Sequence, residues 1–409
     1  MRLALALAAL LSLAVAAQGS LAQDKDAMPT ANKPAAVMTG IDVLAAERFQ
    51  ALAGLRIGLL THKAGRDRDG RRTADVLAKA EGVTLLRLFS PEHGLGADRE
   101  GEIAGDTDKP TGLPIVSLYG ASKRPTPAAL QGLDAVVVDL QDVGVRFYTY
   151  ATSMAYLMEE AARQKVKVIV LDRPNPIAAA GIQGPILDKD QRSFVGYFEM
   201  PITHAMTMGE LARLFNAENA IGADLTVIGM RGYVRTSWYD ETGLAWESPS
   251  PNLRRLEATV LYPGIGMLEF TNLSVGRGTT TPFELVGAPW IDGQALAKAL
   301  QRRPIPGVRI AAADFVPRAS KFVGERCSGI RITLEDRKQV DAVRLGVEIA
   351  SALRRLHAES WASKDLIRLL GSRETLAAIN AGKDPAAIEA SWQAKLGPFR
   401  TLQAKYLIY

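Results

Sequence analysis

The sequence predicts an α/β fold, with a parallel sheet in a larger N-terminal domain and a smaller α+β domain after it. Short apolar runs recur between helix-like segments, and the Val-rich run Ala135–Leu140 is the clearest of them. These runs do not alternate with polar residues, which is typical of strands buried on both faces of a sheet. Beyond about residue 280 the pattern changes to strand-like segments around one long amphipathic helix.

The order of the segments supports two domains, 40–282 and 283–409, with the boundary between Pro263 and Gly293. The first domain is predicted to contain the strands Arg56–Thr61, Val83–Phe89, Ile115–Leu118, Ala135–Leu140, Lys167–Asp172 and Leu225–Met230, with helices at Thr73–Ala80, Thr152–Gln164 and Thr207–Asn216. The second is predicted to contain helices at Asp292–Arg302 and Gln339–His357, with strands at Val308–Phe315 and Gly329–Leu334.

The first 22 residues predict a signal peptide. Arg2 precedes an uncharged run, Leu3–Ala16, and the small residues Ser20 and Ala22 suit a cleavage site before Gln23. The run is too short for a membrane span, so we expect an exported chain without one, periplasmic where the source has an outer membrane. Residues 23–39 are polar and predict a flexible linker.

Composition excludes several classes of function. The net charge is +5 and no dense Lys/Arg run exists, which argues against a nucleic-acid partner. The one cysteine, Cys327, excludes an intramolecular disulfide and a Cys-type metal cluster. The motifs of dinucleotide-binding proteins, zinc proteases and Gly-x-Ser-x-Gly hydrolases are absent from the sequence, and no cofactor is expected.

Polar clusters follow three successive predicted strands. In an open parallel sheet, ligands bind beyond the carboxyl ends of the strands, and loops that merely reverse the chain need no such groups. These positions therefore predict an active site. The candidate residues there are Glu92, His93, Asp139, Gln141, Asp142, Arg146, Tyr148, Arg173 and Asn175, joined from later loops by His204, Asn252, Glu269, Asn272 and Arg277.

Eight motifs around these residues form an ordered pattern: SPEHG at 90, LYG at 118, DLQDVGVRFYTY at 139, LDRPNP at 171, HAMTMGELA at 204, SPSPN at 248, YPG at 262 and EFTNLSVGRGTTTPFE at 269. The pattern resembles the NamZ-type exo-β-N-acetylmuramidases from about Gly40 to the C-terminus. That resemblance implies a Rossmann-like domain, a smaller C-terminal domain and an active site in the cleft between them. It also implies release of N-acetylmuramic acid from the non-reducing end of peptidoglycan fragments such as muramyl disaccharides.

The resemblance and the chemistry of glycoside hydrolysis together suggest roles for these residues. In the family the Glu of SPEHG is the favoured catalytic carboxylate, so Glu92 is the expected general acid, oriented by His93. Asp142 or Asp139 is the expected second carboxylate, with Glu269 behind them. The other candidates are expected to bind substrate: Arg146, Arg173 or Arg277 at the lactyl carboxylate, Asn175 and Asn252 at hydroxyls or the acetamide, and Tyr148 under the sugar ring.

Two departures from the family and two alternative functions stay open at this point. The family usually has Gly where this chain has Ala205, and Asn-His-Thr-Gly is common where this chain has residues 61–65. One alternative is an exported protein that binds muramyl sugars without turnover. The other is a metal-dependent hydrolase that uses Asp139, Asp142, Asp172 and His93.

Overall fold

The structure is a computed structural model that describes residues 37–101 and 104–409, so the predicted signal peptide and most of the predicted linker lie outside the described residues. The last three linker residues make contacts. The Val37 amide donates to the Thr242 carbonyl (2.9 Å), and the Met38 amide donates to the Arg231 carbonyl (3.0 Å). These bonds fix the chain from Val37 onward. No helix in the described ranges is long and apolar enough to cross a membrane.

The larger sheet contains seven strands. They are β1 (Arg56–Thr61), β2 (Thr84–Ser90), β3 (Asp106–Asp108), β4 (Leu113–Ser117), β5 (Ala135–Asp139), β6 (Lys167–Leu171) and β7 (Leu225–Ile228). Their order is β3-β4-β2-β1-β5-β6-β7, and every pair is parallel except β3 with β4. Because the chain moves outward from β1 first to one side and then to the other, the carboxyl ends of β1 and β5 flank a crevice suited to a ligand.

Both faces of this sheet are covered, which explains the apolar runs without alternation. On β5, Val136 and Val138 belong to one hydrophobic core, whereas Ala135 and Val137 belong to the other. The helices of this part are α1 (Gly40–Ala46), α2 (Thr73–Ala78), α3 (Pro127–Leu130), α4 (Tyr150–Gln164), α5 (Met208–Glu218) and α6 (Leu256–Ile265). Helices α4 and α5 pack into the first core, and α1 and α2 pack into the second.

The C-terminal part contains a three-stranded antiparallel sheet and several helices. The strands, in the order β8-β10-β9, are β8 (Leu285–Ala288), β9 (Val308–Phe315) and β10 (Cys327–Leu334). The helices are α7 (Gly293–Gln301), α8 (Ala342–Leu356), α9 (Ile367–Leu370), α10 (Arg373–Asn380), α11 (Pro385–Gln393) and α12 (Leu396–Ala404). The predicted α/β fold with a smaller C-terminal domain is confirmed.

The C-terminal sheet shares its core with the parallel sheet. Val286 and Ile330 of the small sheet, and Val343 of α8, belong to the same buried cluster as Val136 of β5. Helices α6 and α8 approach closely at Gly264, where a Cβ atom would lie 1.8 Å from the Ala342 carbonyl oxygen. This shared core holds residues of the C-terminal part against the carboxyl edge of the parallel sheet.

Candidate active site

A cavity of about 790 Å³ opens at the carboxyl edge of the parallel sheet, next to the turn that follows β2. Residues from both parts of the chain line it, including residues 92–93 from that turn and residues 320–321 and 368–369 from the C-terminal part. Six of the residues predicted for the site line this cavity: Glu92, His93, Tyr148, Asn252, Glu269 and Arg277. The cavity is therefore the candidate active site.

Thr149 holds the carboxylate of Glu92. Its Oγ1 donates to Glu92 Oε2 at 2.6 Å, and among the described residues no group bonds Oε1. Thr149 is the N-cap residue of α4, but its side chain bonds Glu92 instead of capping the helix. His93 has a left-handed backbone (φ 70°), and its Nδ1 donates to the Arg99 carbonyl at 2.8 Å. Glu92 is therefore oriented by Thr149, which the sequence did not indicate, whereas His93, the expected orienting residue, bonds the Arg99 carbonyl.

Two tyrosines whose rings are in contact connect the Glu92 turn to the SPSPN loop. The rings of Tyr148 and Tyr150 lie 4.6 Å apart. Their hydroxyls lie 3.0 Å and 2.7 Å from the Pro249 carbonyl oxygen, and the Tyr150 hydroxyl is also 3.2 Å from the Glu92 carbonyl oxygen. Tyr148 thus lines the cavity and, together with Tyr150, sets the distance between the Glu92 turn and the SPSPN loop.

Arg277 forms the centre of a charged network on another wall. It pairs with Glu269 and, through Nη2, with Glu100 Oε1 at 2.6 Å. Asn252 Nδ2 also donates to Glu100 Oε1 (2.9 Å). Burial alone would raise the pKa of Glu100, but the hydrogen bonds from Arg277 and Asn252 outweigh it and lower that pKa. Lys321 donates to the carbonyls of Glu269 and Thr271. Glu100 and Lys321 were not predicted.

Asp139 and Arg173 pair with each other away from the cavity. The Arg173 Nε lies 2.5 Å from Asp139 Oδ1 and its Nη2 lies 2.9 Å from Oδ2, while Thr73 Oγ1 donates to the same carboxylate at 2.5 Å. Both side chains are buried. The structure therefore uses this carboxylate and this guanidinium to hold β5 against the segment after β6, and it does not bring them to the cavity.

A second buried polar group surrounds Asp142. The Gly144 amide donates to Asp142 Oδ2 at 2.7 Å, and burial raises the pKa of Asp142 to about 7. His204 Nε2 is 4.0 Å from that oxygen, and burial lowers the pKa of His204 to about 3. Gln141 and Asn175 bond backbone carbonyls at Pro174 and Met206. None of the four predicted side chains in this group lines the cavity.

Two other predicted residues support the cavity walls from behind. Arg146 is buried and donates to four carbonyls, those of Pro185, Met200, Leu369 and Leu370, at 2.7–3.0 Å. Burial lowers the pKa of Arg146 to about 9. Asn272 bonds the Ser360 carbonyl (2.7 Å) and the Ala362 amide (2.8 Å). Arg146 ties a C-terminal segment to the parallel-sheet part, Asn272 joins the loop after α6 to the segment after α8, and neither side chain lines the cavity.

The carboxylates suggested as metal ligands have other partners. Asp172 accepts bonds from Thr207 Oγ1 (2.7 Å), the Gly209 amide (2.8 Å) and the Tyr409 hydroxyl (2.9 Å). Asp139 is paired with Arg173. Within residues 37–101 and 104–409 no three His, Cys, Asp or Glu side chains are grouped so as to hold a metal ion. Asp139 and Asp172 therefore serve as ion-pair and hydrogen-bond partners of neighbouring side chains and backbone in the described structure.

Comparison with known proteins identifies the family. Residues 57–257 match the family described as "Exo-beta-N-acetylmuramidase NamZ, N-terminal", and residues 260–409 match its C-terminal counterpart. The chain is 41% identical over 385 residues to the peptidoglycan β-N-acetylmuramidase NamZ of Bacillus subtilis strain 168, covering 93% of both proteins. The chain belongs to the NamZ exo-β-N-acetylmuramidase family.

Solved structures agree with this assignment. Two DUF1343 family proteins from Bacteroides fragilis NCTC 9343 superpose with TM-scores of 0.84 and 0.74, at 32% and 30% sequence identity. Each comparison covers 91% of this chain and 99% of the other. The similarity therefore spans both the parallel-sheet part and the C-terminal part of the NamZ family fold.

The two departures from the usual NamZ motifs lie outside the cavity lining. Ala205 has a left-handed backbone, with φ 51°, which explains why Gly is the usual residue there. Lys63, in the segment 61–65, lies 3.6 Å from Glu247, and no residue of that segment lines the cavity. Neither departure changes a side chain that faces the candidate active site.

Proposed function

We propose that this protein is an exo-acting β-N-acetylmuramidase that hydrolyses N-acetylmuramic acid from the non-reducing end of peptidoglycan fragments, with Glu92 as its general acid. The observation that carries the proposal is the position of Glu92 in a member of the NamZ family. Its carboxylate lines the cavity, Oε2 is held by Thr149, and Oε1 is left for a substrate.

Glu92 then acts on the glycosidic oxygen. It donates a proton to that oxygen as the bond to the anomeric carbon breaks, so the leaving sugar departs as an alcohol. Water adds to the anomeric carbon, and its proton returns to the carboxylate. The bond from Thr149 supports this role because proton transfer requires the carboxyl group to be held within hydrogen-bonding distance of the substrate oxygen.

Glu269 is the carboxylate that best suits the second role. It lines the same cavity as Glu92, is paired with Arg277, and can stabilise the positive charge that develops on the sugar. Tyr262 lies near both carboxylates. Burial raises its pKa well above the usual value, and the charges of Glu269 and Glu92 raise it further. Tyr262 also lines the cavity, and an aromatic face there can support the sugar ring.

The proposed substrate also implies a location. Peptidoglycan lies outside the cytoplasmic membrane, and the N-terminal pattern of Arg2, the Leu/Ala run and Ser20–Ala22 has the features of a secretory signal. We therefore propose that the protein is exported, to the periplasm where the source has an outer membrane. Cell fractionation with antibody detection tests this location independently of the activity.

The activity is tested with two disaccharides that contain the same sugars in opposite order. We expect the purified protein to release free N-acetylmuramic acid from N-acetylmuramyl-β-1,4-N-acetylglucosamine and to leave N-acetylglucosaminyl-β-1,4-N-acetylmuramic acid intact. Cleavage of the second disaccharide would contradict the muramidase assignment. Binding of the first without release would favour the sugar-binding alternative.

A further inference from the structure

Most cations that line the cavity already have partners. Arg277 is paired with Glu100 and Glu269, Arg192 is paired with Glu199, and Lys321 bonds backbone carbonyls. In the part of the chain that the structure describes, Lys123 and Arg368 have no carboxylate partner. Lys123 lies over the Phe194 and Tyr119 rings, and Arg368 lies 5.3 Å from the centre of the Phe270 ring. The cavity thus presents two cations available to an anion.

Arg368 is the one that contacts the loop carrying Glu269. Its ring partner Phe270 is 42% exposed, lines the cavity, and directly follows Glu269 in the chain. Arg277, Lys321 and Arg368 lie around this loop with the carboxylates Glu100 and Glu269, and the charge of Asp365 also acts on Lys321. Of these three cations, only Arg368 has no hydrogen-bond or ion-pair partner among the described residues, which favours an anionic ligand there. Lys123 instead lies over the rings of an aromatic pair, Tyr119 and Phe194.

The backbone that carries Arg368 is fixed by Arg146. The guanidinium of Arg146 bonds the carbonyls of Leu369 and Leu370, the two residues after Arg368 in α9. The same guanidinium bonds Pro185 and Met200, so α9 is braced against the segment that forms the neighbouring cavity wall. A side chain on a braced helix is a better specificity element than one on a free loop, because less ordering is needed when the ligand binds.

We infer that Arg368 binds the lactyl carboxylate of N-acetylmuramic acid and so distinguishes this sugar from N-acetylglucosamine, which lacks that group. The inference rests on the proposed function and deepens it. A guanidinium forms two parallel hydrogen bonds with a carboxylate, whereas an ammonium group offers only a point charge. The exposed face of Phe270 lies beside it and suits the methyl group of the lactyl ether.

The test compares two substrates that differ only in the charge of the lactyl group. One is N-acetylmuramyl-N-acetylglucosamine, and the other is the same disaccharide with the lactyl carboxylate converted to its primary amide. We expect the wild type to prefer the acid by at least about tenfold in kcat/KM. Arg368→Gln should lose that preference by losing activity on the acid. Lys123→Gln is the matched control and should retain the preference.

Two outcomes would overturn the inference: a wild type without preference for the acid, or an Arg368→Gln variant that retains it. Loss of the preference in Lys123→Gln would assign the carboxylate to the other cation. Failure of the proposed function is seen separately, as a wild type that hydrolyses neither substrate. In that case calorimetric binding of N-acetylmuramic acid still decides the inference, because Arg368→Gln should weaken it about tenfold or more and Lys123→Gln should not.

Discussion

At the scale of single residues, the neighbours of a carboxylate decide what it does. Glu92 and Asp142 follow buried strands and Asp139 lies at the end of one, so the three look equivalent in the sequence. Only Glu92 of these three lines the cavity. Asp139 is paired with Arg173, and Asp142 is buried and accepts a hydrogen bond from the Gly144 amide. Position after a strand therefore predicts a polar cluster, but pairing and burial assign the roles within it.

Replacement of Thr149 tests whether it positions Glu92. Thr149→Val removes the hydroxyl that holds Oε2, and we expect kcat on the muramyl disaccharide to fall about tenfold with little change in KM. Thr149→Ser keeps the hydroxyl and should stay within about threefold of the wild type. A merely structural role for Thr149 would instead lower the unfolding midpoint of the Val variant and leave kcat per folded molecule unchanged.

Asp142 predicts a specific dependence of stability on pH. Its pKa is about 7 in the folded protein and about 3.9 in an unfolded chain. Below pH 4 both states hold the proton, whereas between pH 4 and 7 the unfolded state loses it first. Stability therefore falls as pH rises through this window and changes no further above it. Relative to the wild type, Asp142→Asn should gain free energy of unfolding, on the order of a few kcal/mol, between pH 4 and 8.

Urea unfolding of both proteins at several pH values measures this difference. Burial also raises the pKa of Asp172 to about 6, but that group is present in both proteins, so the difference between them isolates Asp142. Parallel stability curves for the wild type and Asp142→Asn would show that Asp142 ionises normally in the folded protein.

At the scale of elements, the sequence predicts the strands that are buried on both faces and misses those without a clear pattern. Strand β1 has the predicted bounds, and β5 and β6 end one residue earlier than predicted. Strands β3 and β8, with three and four residues, are too short to show a period. Helix α6 is mostly apolar around its circumference, so it lacks the one-sided apolar stripe that predicts a helix. It also contains Pro263, which normally interrupts a helix.

The contact between α6 and α8 depends on Gly264. A methyl group there would meet the Ala342 carbonyl oxygen at 1.8 Å, a backbone atom that cannot rotate away. We expect Gly264→Ala to lower the free energy of unfolding by about 3 kcal/mol. Gly397→Ala in α12 is the matched control, because among the described residues no heavy atom beyond its chain neighbours and its own helix backbone lies within 4 Å of its Cβ position, and we expect a change of at most about 1 kcal/mol, in the stabilising direction. Equal denaturation midpoints for the two variants would contradict the close contact between α6 and α8 at Gly264.

At the scale of the whole molecule, the site is assembled from parts of the chain that are distant in sequence. Because ligands bind beyond the carboxyl ends of parallel strands, the sequence predicts Glu92 at the site, and the motifs predict Asn252, Glu269 and Arg277. All four residues line the cavity. Lys321 and Arg368 come from segments that carry no motif, so their position depends on how the C-terminal part docks through the shared core and Arg146. A single sequence does not reveal that docking.

The most direct test of the account is the activity of Glu92→Gln on N-acetylmuramyl-N-acetylglucosamine. We expect kcat to fall about 10²-fold or more, because glutamine fills the same space but cannot donate the proton. Asp190→Asn is the control, since Asp190 also lines the cavity but is exposed and paired with Arg373, and it should stay within about threefold of the wild type. A Glu92→Gln variant that keeps more than about a tenth of wild-type kcat would contradict the assignment of Glu92 as the general acid.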